Sequence, residues 1–161
     1  MPRYKHSHRC GVAVADQLMG PYEIVTKEKP LTKGNDLTFF QDTDKKVYAY
    51  WNESKKITGS EIDLESMTLK KKHYLFTTSE GAWDQVGIEG AYTIKNDKVF
   101  VLFYSSWSRG YEIGYAMSKS PLEPFTKYSG NPIYGAQNQA SCERYGLEFT
   151  GDPESAFRAR A

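Results

Sequence analysis

The sequence predicts an all-β fold, a β-propeller built from four-stranded antiparallel blades. Short apolar and aromatic runs alternate with turns rich in Asp, Asn and Lys. The pattern recurs with a period of about fifty residues. No stretch keeps the apolar spacing of a helix over three turns. A period of this length, with about four strands in each repeat, is typical of propeller blades and not of helical solenoids.

The composition fits one globular domain and narrows the choice of partners. The chain has 161 residues, of which 39% are hydrophobic and 14% aromatic. The formal net charge is only +1, so we predict neither a nucleic-acid nor a membrane partner. No apolar run approaches the roughly 20 residues of a membrane span. Cys10 and Cys142 form no disulfide framework and are expected to be free thiols. The compartment and the oligomeric state stay open.

The expected strands are short and follow one another in chain order. Two of them, 47–51 and 99–104, follow polar turns that end at Lys46 and Lys98, which predicts two hairpins. The complete set of predicted strands is 11–15, 22–25, 37–41, 47–51, 74–77, 91–94, 99–104, 112–117 and 125–128.

The phase of the repeat divides the chain. The residues around Ala13 match those around Ala116, which are about two periods apart, and both stretches run from small residues to a Pro-aromatic pair. We therefore expect a single partial propeller domain over 1–161, with about three blades' worth of chain. Its parts are the back half of a blade in 1–30, full blades in 36–80 and 89–130, and the start of a further blade, disordered or read in a disrupted frame, in 131–161. Because propellers close with about 4–8 blades, we expect the chain to be a piece of a longer protein.

Two acidic residues hold nearly the same place in successive repeats. Asp36 lies ten residues before Lys46, and Glu89 lies nine residues before Lys98. The first strand of each propeller blade lines the central channel, so these carboxylates are expected to converge there. Convergent carboxylates are what glycoside hydrolysis requires. The alternative is that both acids are solvated charges at the start of exposed strands.

Three motifs resemble those of one known family. They are N-D-L-T-F-F-Q-D-T-D-K-K-V-Y-A-Y-W (35–51), G-I-E-G-A-Y-T-I-K-N-D-K-V-F-V-L-F-Y-S-S (87–106) and G-Y-E-I-G-Y-A-M-S-K-S-P-L-E-P-F (110–125). In order and spacing they resemble glycoside hydrolase family 43, whose members are five-bladed propellers. These enzymes are inverting arabinofuranosidases, xylosidases, arabinanases and galactosidases. The resemblance implies that Glu89 is the general acid. It also implies that Asp36 tunes the pKa of that acid and orients it.

The sequence departs from the family pattern in several places. Ala91 stands where the family usually has Pro, and Lys45 stands where it usually has a turn Gly. The family's general base, an Asp one period before Asp36, would fall before residue 1. No His follows 131–133, where the family has a channel His that often lies near a bound cation. We therefore expect no cofactor and no metal, and we expect the chain alone to be an incompetent hydrolase. A structural cation belongs only to the full-length family.

Three further residues are candidates for substrate contact. Trp107 and Arg109 follow the hairpin of the Glu89 blade, where an aromatic face can stack on a sugar and Arg can bind hydroxyls. Trp83 precedes Glu89 and either lines a subsite or packs between blades. For the first two, the alternative is an exposed blade loop.

The resemblance implies inverting hydrolysis of a glycosidic bond, with a carbohydrate substrate that contains arabinose, xylose or galactose. One alternative is a propeller fragment that binds carbohydrate without turnover. Another is a structural or interaction module with no role in sugar chemistry.

Overall fold

The computed structural model describes residues 8–150, which form β-sheets and one short helix. The strands are β1 Arg9–Cys10, β2 Ala13–Val14, β3 Glu23–Ile24, β4 Thr32–Lys33, β5 Asn35–Gln41, β6 Val47–Glu53, β7 Lys56–Asp63, β8 Thr68–Leu69, β9 His73–Thr77, β10 Glu89–Asn96, β11 Val99–Ser106, β12 Gly110–Ser118, β13 Thr126–Lys127 and β14 Tyr134–Gln137, and the helix is α1 Gln139–Tyr145. All strand pairs are antiparallel.

Two five-stranded sheets share one layout. In the first sheet β5, β6 and β7 form a meander, and the short strands β8 and β9 both pair with β7. In the second sheet β10, β11 and β12 form the meander, and β13 and β14 both pair with β12. Two short strands therefore share the fourth position of each sheet. This arrangement confirms the expected class, an all-β protein built from four-stranded antiparallel blades.

The residues before β5 repeat the outer half of such a blade. Ala13 pairs with Ile24 in the β2–β3 ladder, and Ala116 pairs with Lys127 in the β12–β13 ladder. Both members of the pair are displaced by the same number of residues, so the sequence repeat has a counterpart in strand register. The pairing of β1 with β4 continues this outer half as far as Lys33.

The end of the second blade differs from the expectation. Residues 131–161 were expected to begin a further blade, but β14 pairs with β12 and so belongs to the second sheet. The backbone N–H of Ile133 donates to the carbonyl of Ile113, which turns the chain back along β12. Helix α1 follows, capped by Asn138 and by Gly146. The residues from 151 onward, like 1–7, lie outside the described part.

The core lies between the two large sheets. Tyr50 and Leu75 from the first sheet pack in one cluster with Leu102 and Tyr104 from the second. At the inner strands, the Thr38 hydroxyl donates to the carbonyl of Ala91 at 2.7 Å. This packing sets the starts of β5 and β10 side by side, so the residues that open those strands become neighbours.

Two expectations about the wider chain can be compared with the structure. Cys10 and Cys142 are free thiols, as the sequence predicted. Among residues 8–150, no helix is long and apolar enough to cross a membrane.

Candidate active site

Strands β5 and β10 open with the same irregularity. The pairing of β5 with β6 shifts between Asn35 and Thr38, and the pairing of β10 with β11 shifts between Glu89 and Tyr92. The second residue of each bulge, Asp36 or Gly90, has a left-handed backbone, with φ of 56° and 65°. The register equivalent of Glu89 is therefore Asn35, one residue before the expected Asp36.

Asp36 reaches across to the neighbouring bulge. Its Oδ2 accepts hydrogen bonds from the backbone N–H of Gly90 at 3.0 Å and from Nδ2 of Asn35 at 3.0 Å. The same Asn35 nitrogen lies 3.5 Å from Oε2 of Glu89. The oxygens Oδ2 and Oε2 are thus at most 6.5 Å apart. Asp36 fixes the backbone beside Glu89, and Asn35 links the two carboxylates.

Gly90 is the position that lets the two bulges approach. Its φ of 65° is one that side chains rarely adopt, and an added Cβ would lie 2.9 Å from Oγ of Ser105. That hydroxyl donates to the carbonyl of Glu89 at 3.3 Å. A larger residue at position 90 would strain the backbone and displace the contact that holds Glu89.

The segment that leads into Glu89 is anchored in the core. Asp84 is fully buried and accepts from Nζ of Lys127 at 2.5 Å and from the Tyr104 hydroxyl at 3.2 Å. Burial, together with the Asp84 carboxylate, raises the pKa of Tyr104 well above its usual range. Nδ2 of Asn52 donates to the carbonyl of Ile88, directly before Glu89. The first strand of the second blade therefore starts from a fixed point.

A tyrosine that the sequence analysis did not single out also contacts Glu89. The Tyr111 hydroxyl, at the start of β12, forms a hydrogen bond with Oε1 of Glu89. This bond to the carboxylate is the main reason why the pKa of Tyr111 is raised, and burial adds to it. Tyr111 lies 22 residues after Glu89, and only the pairing of three strands brings them together.

Glu89 opens onto a groove of about 630 Å³. Trp107, Asn35 and Asn52 line it as well. The six-membered ring of Trp107 covers Gly87, where an added Cβ would lie 2.3 Å from ring carbons. Among the residues proposed for substrate contact, Trp107 is the one that shares this groove with Glu89. A slightly larger groove, of about 660 Å³, is lined by 23–31 and 66–69 and lies away from both carboxylates.

The other two proposed contact residues lie elsewhere. Arg109 forms a two-pronged ion pair with Glu112, at 2.9 and 2.8 Å, and the exposed fractions of the two side chains are 12% and 1%. Trp83 is buried in the core with its ring centroid 5.3 Å from that of Tyr104. The structure places neither side chain in the groove beside Glu89. Trp83 occupies the packing position that was its alternative.

A cation site is not evident in the described part of the chain. Within residues 8–150, no three His, Cys, Asp or Glu side chains come together in a way that would hold a metal ion. These residues therefore do not fit the channel cation of the full-length family, and no step of the chemistry below passes through one.

The comparisons with known proteins agree with this geometry. The sequence matches the family described as Glycosyl hydrolases family 43 over residues 2–151. This chain belongs to glycoside hydrolase family 43. The resemblance drawn from the three motifs is therefore confirmed, and the two large sheets of the family 43 chain are propeller blades.

Solved structures similar to the family 43 chain are roughly twice its length. A thermostable family-43 glycoside hydrolase is 27% identical, with a TM-score of 0.65, over 76% of this chain and 46% of that one. An endo-1,4-beta-xylanase from Bacteroides thetaiotaomicron VPI-5482 is 28% identical, with a TM-score of 0.69, over 81% and 49%. An endo-arabinase from the same organism, 19% identical with a TM-score of 0.60, covers 73% and 50% and supports the fold. No curated protein matched the chain.

Proposed function

We propose that Glu89 is the general acid of an inverting glycoside hydrolase. The observation that carries this proposal is the Glu89 carboxyl itself, which opens onto a groove while its two oxygens contact Tyr111 and Asn35. In the reaction, Glu89 protonates the oxygen of the leaving sugar as the bond to the anomeric carbon breaks. The activity belongs to the whole protein of which these blades form a part.

Asp36 acts on Glu89 in two ways. Its hydrogen bond to the Gly90 N–H holds the backbone that presents Glu89. Its negative charge lies close enough to disfavour a second charge, and so it favours the protonated form of Glu89 that can act as an acid. Together these effects give the tuning and orienting role that the family resemblance implies for Asp36.

Asp36 does not fit the role of the general base. Inverting enzymes hold their two carboxyl groups roughly 6.5–9.5 Å apart, to leave room for a water on the far side of the sugar. The Asp36 and Glu89 oxygens that share the Asn35 amide are at most 6.5 Å apart, and two N–H groups already occupy that Asp36 oxygen. Glu53, another acid in the groove, is paired with Lys72 at 3.0 Å. We infer that the base comes from another part of the protein.

The substrate proposed is an oligosaccharide or polysaccharide that contains xylose, arabinose or galactose. Trp107 offers an aromatic ring beside Glu89 on which a sugar ring can stack. The similar endo-1,4-beta-xylanase makes β-1,4-linked xylose the first unit to test, followed by arabinosides and galactosides.

Substitution of Glu89 by Gln tests the general-acid role, because an amide cannot donate the proton. In a polypeptide that contains this chain and is active, Glu89→Gln should lower kcat at least about 100-fold on substrates with poor leaving groups. Activated aryl glycosides, which leave without protonation, should lose much less. Initial rates on both substrate types check this, and the exposed Glu65→Gln serves as the matched control.

Equal loss on both substrate types would contradict the general-acid role. Proton NMR of the first product anomer tests inversion, since retention of configuration would contradict it. Sugar binding without turnover would favour the alternative of a carbohydrate-binding fragment.

A further inference from the structure

Tyr111 lies on the same face of the second sheet as Glu89. Glu89 pairs with Ser105, and Ser105 pairs with Ile113, two residues along β12 from Tyr111. Directly paired residues share a face, as do residues two apart on one strand. The Tyr111 side chain is 56% exposed, so its ring reaches Glu89 from the open side of the sheet.

The backbone of Tyr111 is held on both sides. The residues that flank its peptide units, Arg109 and Glu112, form the two-pronged ion pair described above. The carbonyl of Arg109 accepts the backbone N–H of Asn138, which caps helix α1. Tyr111 itself pairs with Ala136 of β14. A phenol on such a fixed backbone has little freedom, which is what a group that orients another side chain requires.

We propose that Tyr111 is a positioning residue for Glu89, and that the Arg109–Glu112 pair sets its place. The proposal rests on the general-acid role of Glu89 and adds to it. Tyr111 contacts Oε1 while Asn35 approaches Oε2, so each oxygen of the carboxyl has its own partner. One rotamer of Glu89 is thereby favoured, with the carboxyl held at the groove. Arg109, expected to contact sugar, instead acts at one remove through Tyr111.

The contact also follows the proton. In the reaction the O–H bond of Glu89 breaks, its proton passes to the glycosidic oxygen, and the electron pair of the breaking C–O bond goes to that oxygen. Glu89 is left as a carboxylate, and the hydrogen bond that Tyr111 donates to it strengthens because the acceptor is now charged. The phenol keeps its own proton throughout. The raised pKa of Tyr111 is consistent with this, since it keeps the hydroxyl a donor over the neutral range.

The coupling can be tested on the chain without any turnover. In protein labelled with ¹³Cζ-tyrosine, the Tyr111 resonance is the one that Tyr111→Phe removes. As the pH is lowered, this resonance should move through a step in the acid range, when the Glu89 carboxyl takes up a proton and the bond weakens. Glu89→Gln should remove that step. Tyr92, another exposed tyrosine on the same face, is the matched control and should not lose any step that it shows in Glu89→Gln.

The same experiment reaches the ion pair. Glu112→Gln should broaden the Tyr111 resonance or reduce its acid step, while the other tyrosine resonances report whether the fold is kept. A Tyr111 resonance that shows no acid step, or one that Glu89→Gln leaves unchanged, would overturn the proposal.

An activity measurement separates this inference from the proposed function. In an active polypeptide, Tyr111→Phe should lower kcat about 10-fold on poor leaving groups and leave KM within about 2-fold, because the lost bond strengthens only as charge develops. An acid step without any turnover supports the contact and counts against the enzyme role. Turnover that depends on Glu89 but is unaffected by Tyr111→Phe overturns the positioning role alone.

Discussion

Asp36 shows how much one residue contributes to this site. Its φ of 56° lies in the left-handed region, which Asp and Asn adopt more readily than other residues that carry a side chain. Its carboxylate at the same time accepts from Gly90 and Asn35. Backbone shape and hydrogen bonding at this position are separable, since Asn keeps the first and loses the charge, whereas Ala loses both.

Asp36→Asn should therefore leave the fold intact and change the pH dependence of catalysis. Removal of the negative charge makes it easier for Glu89 to release its proton, so the alkaline limb of the kcat/KM profile should move to lower pH. Profiles of wild type and variant in an active polypeptide check this. Asp36→Ala is the comparison and should also lower the free energy of unfolding by about 1 kcal/mol through backbone strain. A profile that does not move would reduce Asp36 to a residue that shapes the turn.

The sequence identifies part of this site, and the missing part has a physical cause. Glu89 and Asp36 could be found because they recur before similar hairpins. Their alignment was off by one because the turns differ in length, 42–46 in the first blade and 97–98 in the second. Tyr111 joins the site only through strand pairing, which residue spacing does not reveal.

Pairs between strands also account for the two residues that the structure places away from the groove. Arg109 has a partner three residues along the chain, and a buried guanidinium with a carboxylate partner is unavailable to a sugar. The environment of Trp83 depends on core packing with Tyr104, which no local pattern reports.

At the scale of elements, a salt bridge ties the hairpin of the first blade to the inner strand of the second. Nζ of Lys95 in β10 lies 2.6 Å from Oδ1 and 2.8 Å from Oδ2 of Asp42, just after β5. These hydrogen bonds lower the pKa of Asp42 below its usual range. In the unfolded chain the carboxyl regains its ordinary pKa. The pair therefore contributes stability that is complete above that ordinary value and is lost as the pH falls through the folded value.

Lys95→Met should reduce the free energy of unfolding by about 1 kcal/mol at neutral pH. The difference from wild type should disappear in acid, because Asp42 is then protonated in both proteins. Urea unfolding at neutral and at acid pH measures both effects. Lys46→Met is the control, because Lys46 and Asp44 form an exposed pair at 3.6 Å that should contribute little. A deficit that is equal at both pH values would show that Lys95 acts through packing on Phe100, over whose ring its ammonium lies.

Elements with a clear period were predicted and others were not. Strands β6 and β11 combine aromatic residues with a preceding polar turn, and both lie where the sequence placed them. Strand β7 has the sequence K-I-T-G-S-E-I-D, which is polar and contains Gly, yet Thr58 and Ser60 are fully buried between its neighbours. Helix α1 has seven residues and depends on its caps, so it gives no periodic signal. Tertiary packing decides both elements.

At the scale of the whole molecule, one face of the second blade repeats a surface that the first blade buries. In the first sheet, Tyr48 and Tyr50 lie on the face that packs against the second sheet, and both are buried. The corresponding face of the second sheet has two paired rows, here named the outer face, which consist of Tyr92, Phe103 and Tyr115, and of Ile94, Val101 and Met117. It is open, with exposed fractions of 60% for Tyr92 and 38% for both Ile94 and Met117.

The 161-residue chain expressed alone should therefore self-associate through the outer face and should not turn over xylosides or arabinosides. A contiguous apolar surface of this kind is costly to leave in water, whereas apolar residues scattered singly are tolerated. Light scattering after size exclusion should show a mass that rises with concentration. The double substitution Tyr92→Lys and Ile94→Lys should weaken this association at least about 10-fold, since each side chain loses about 1.5–3 kcal/mol of burial. Leu18→Lys with Met19→Lys is the control, because those residues are 88% and 90% exposed in a turn away from the outer face and should have no effect. A chain that stays monomeric, unfolds cooperatively and hydrolyses a glycoside at a Glu89-dependent rate would contradict both parts of the prediction, and would require a base among the residues read here as surface charges, beginning with Asp16.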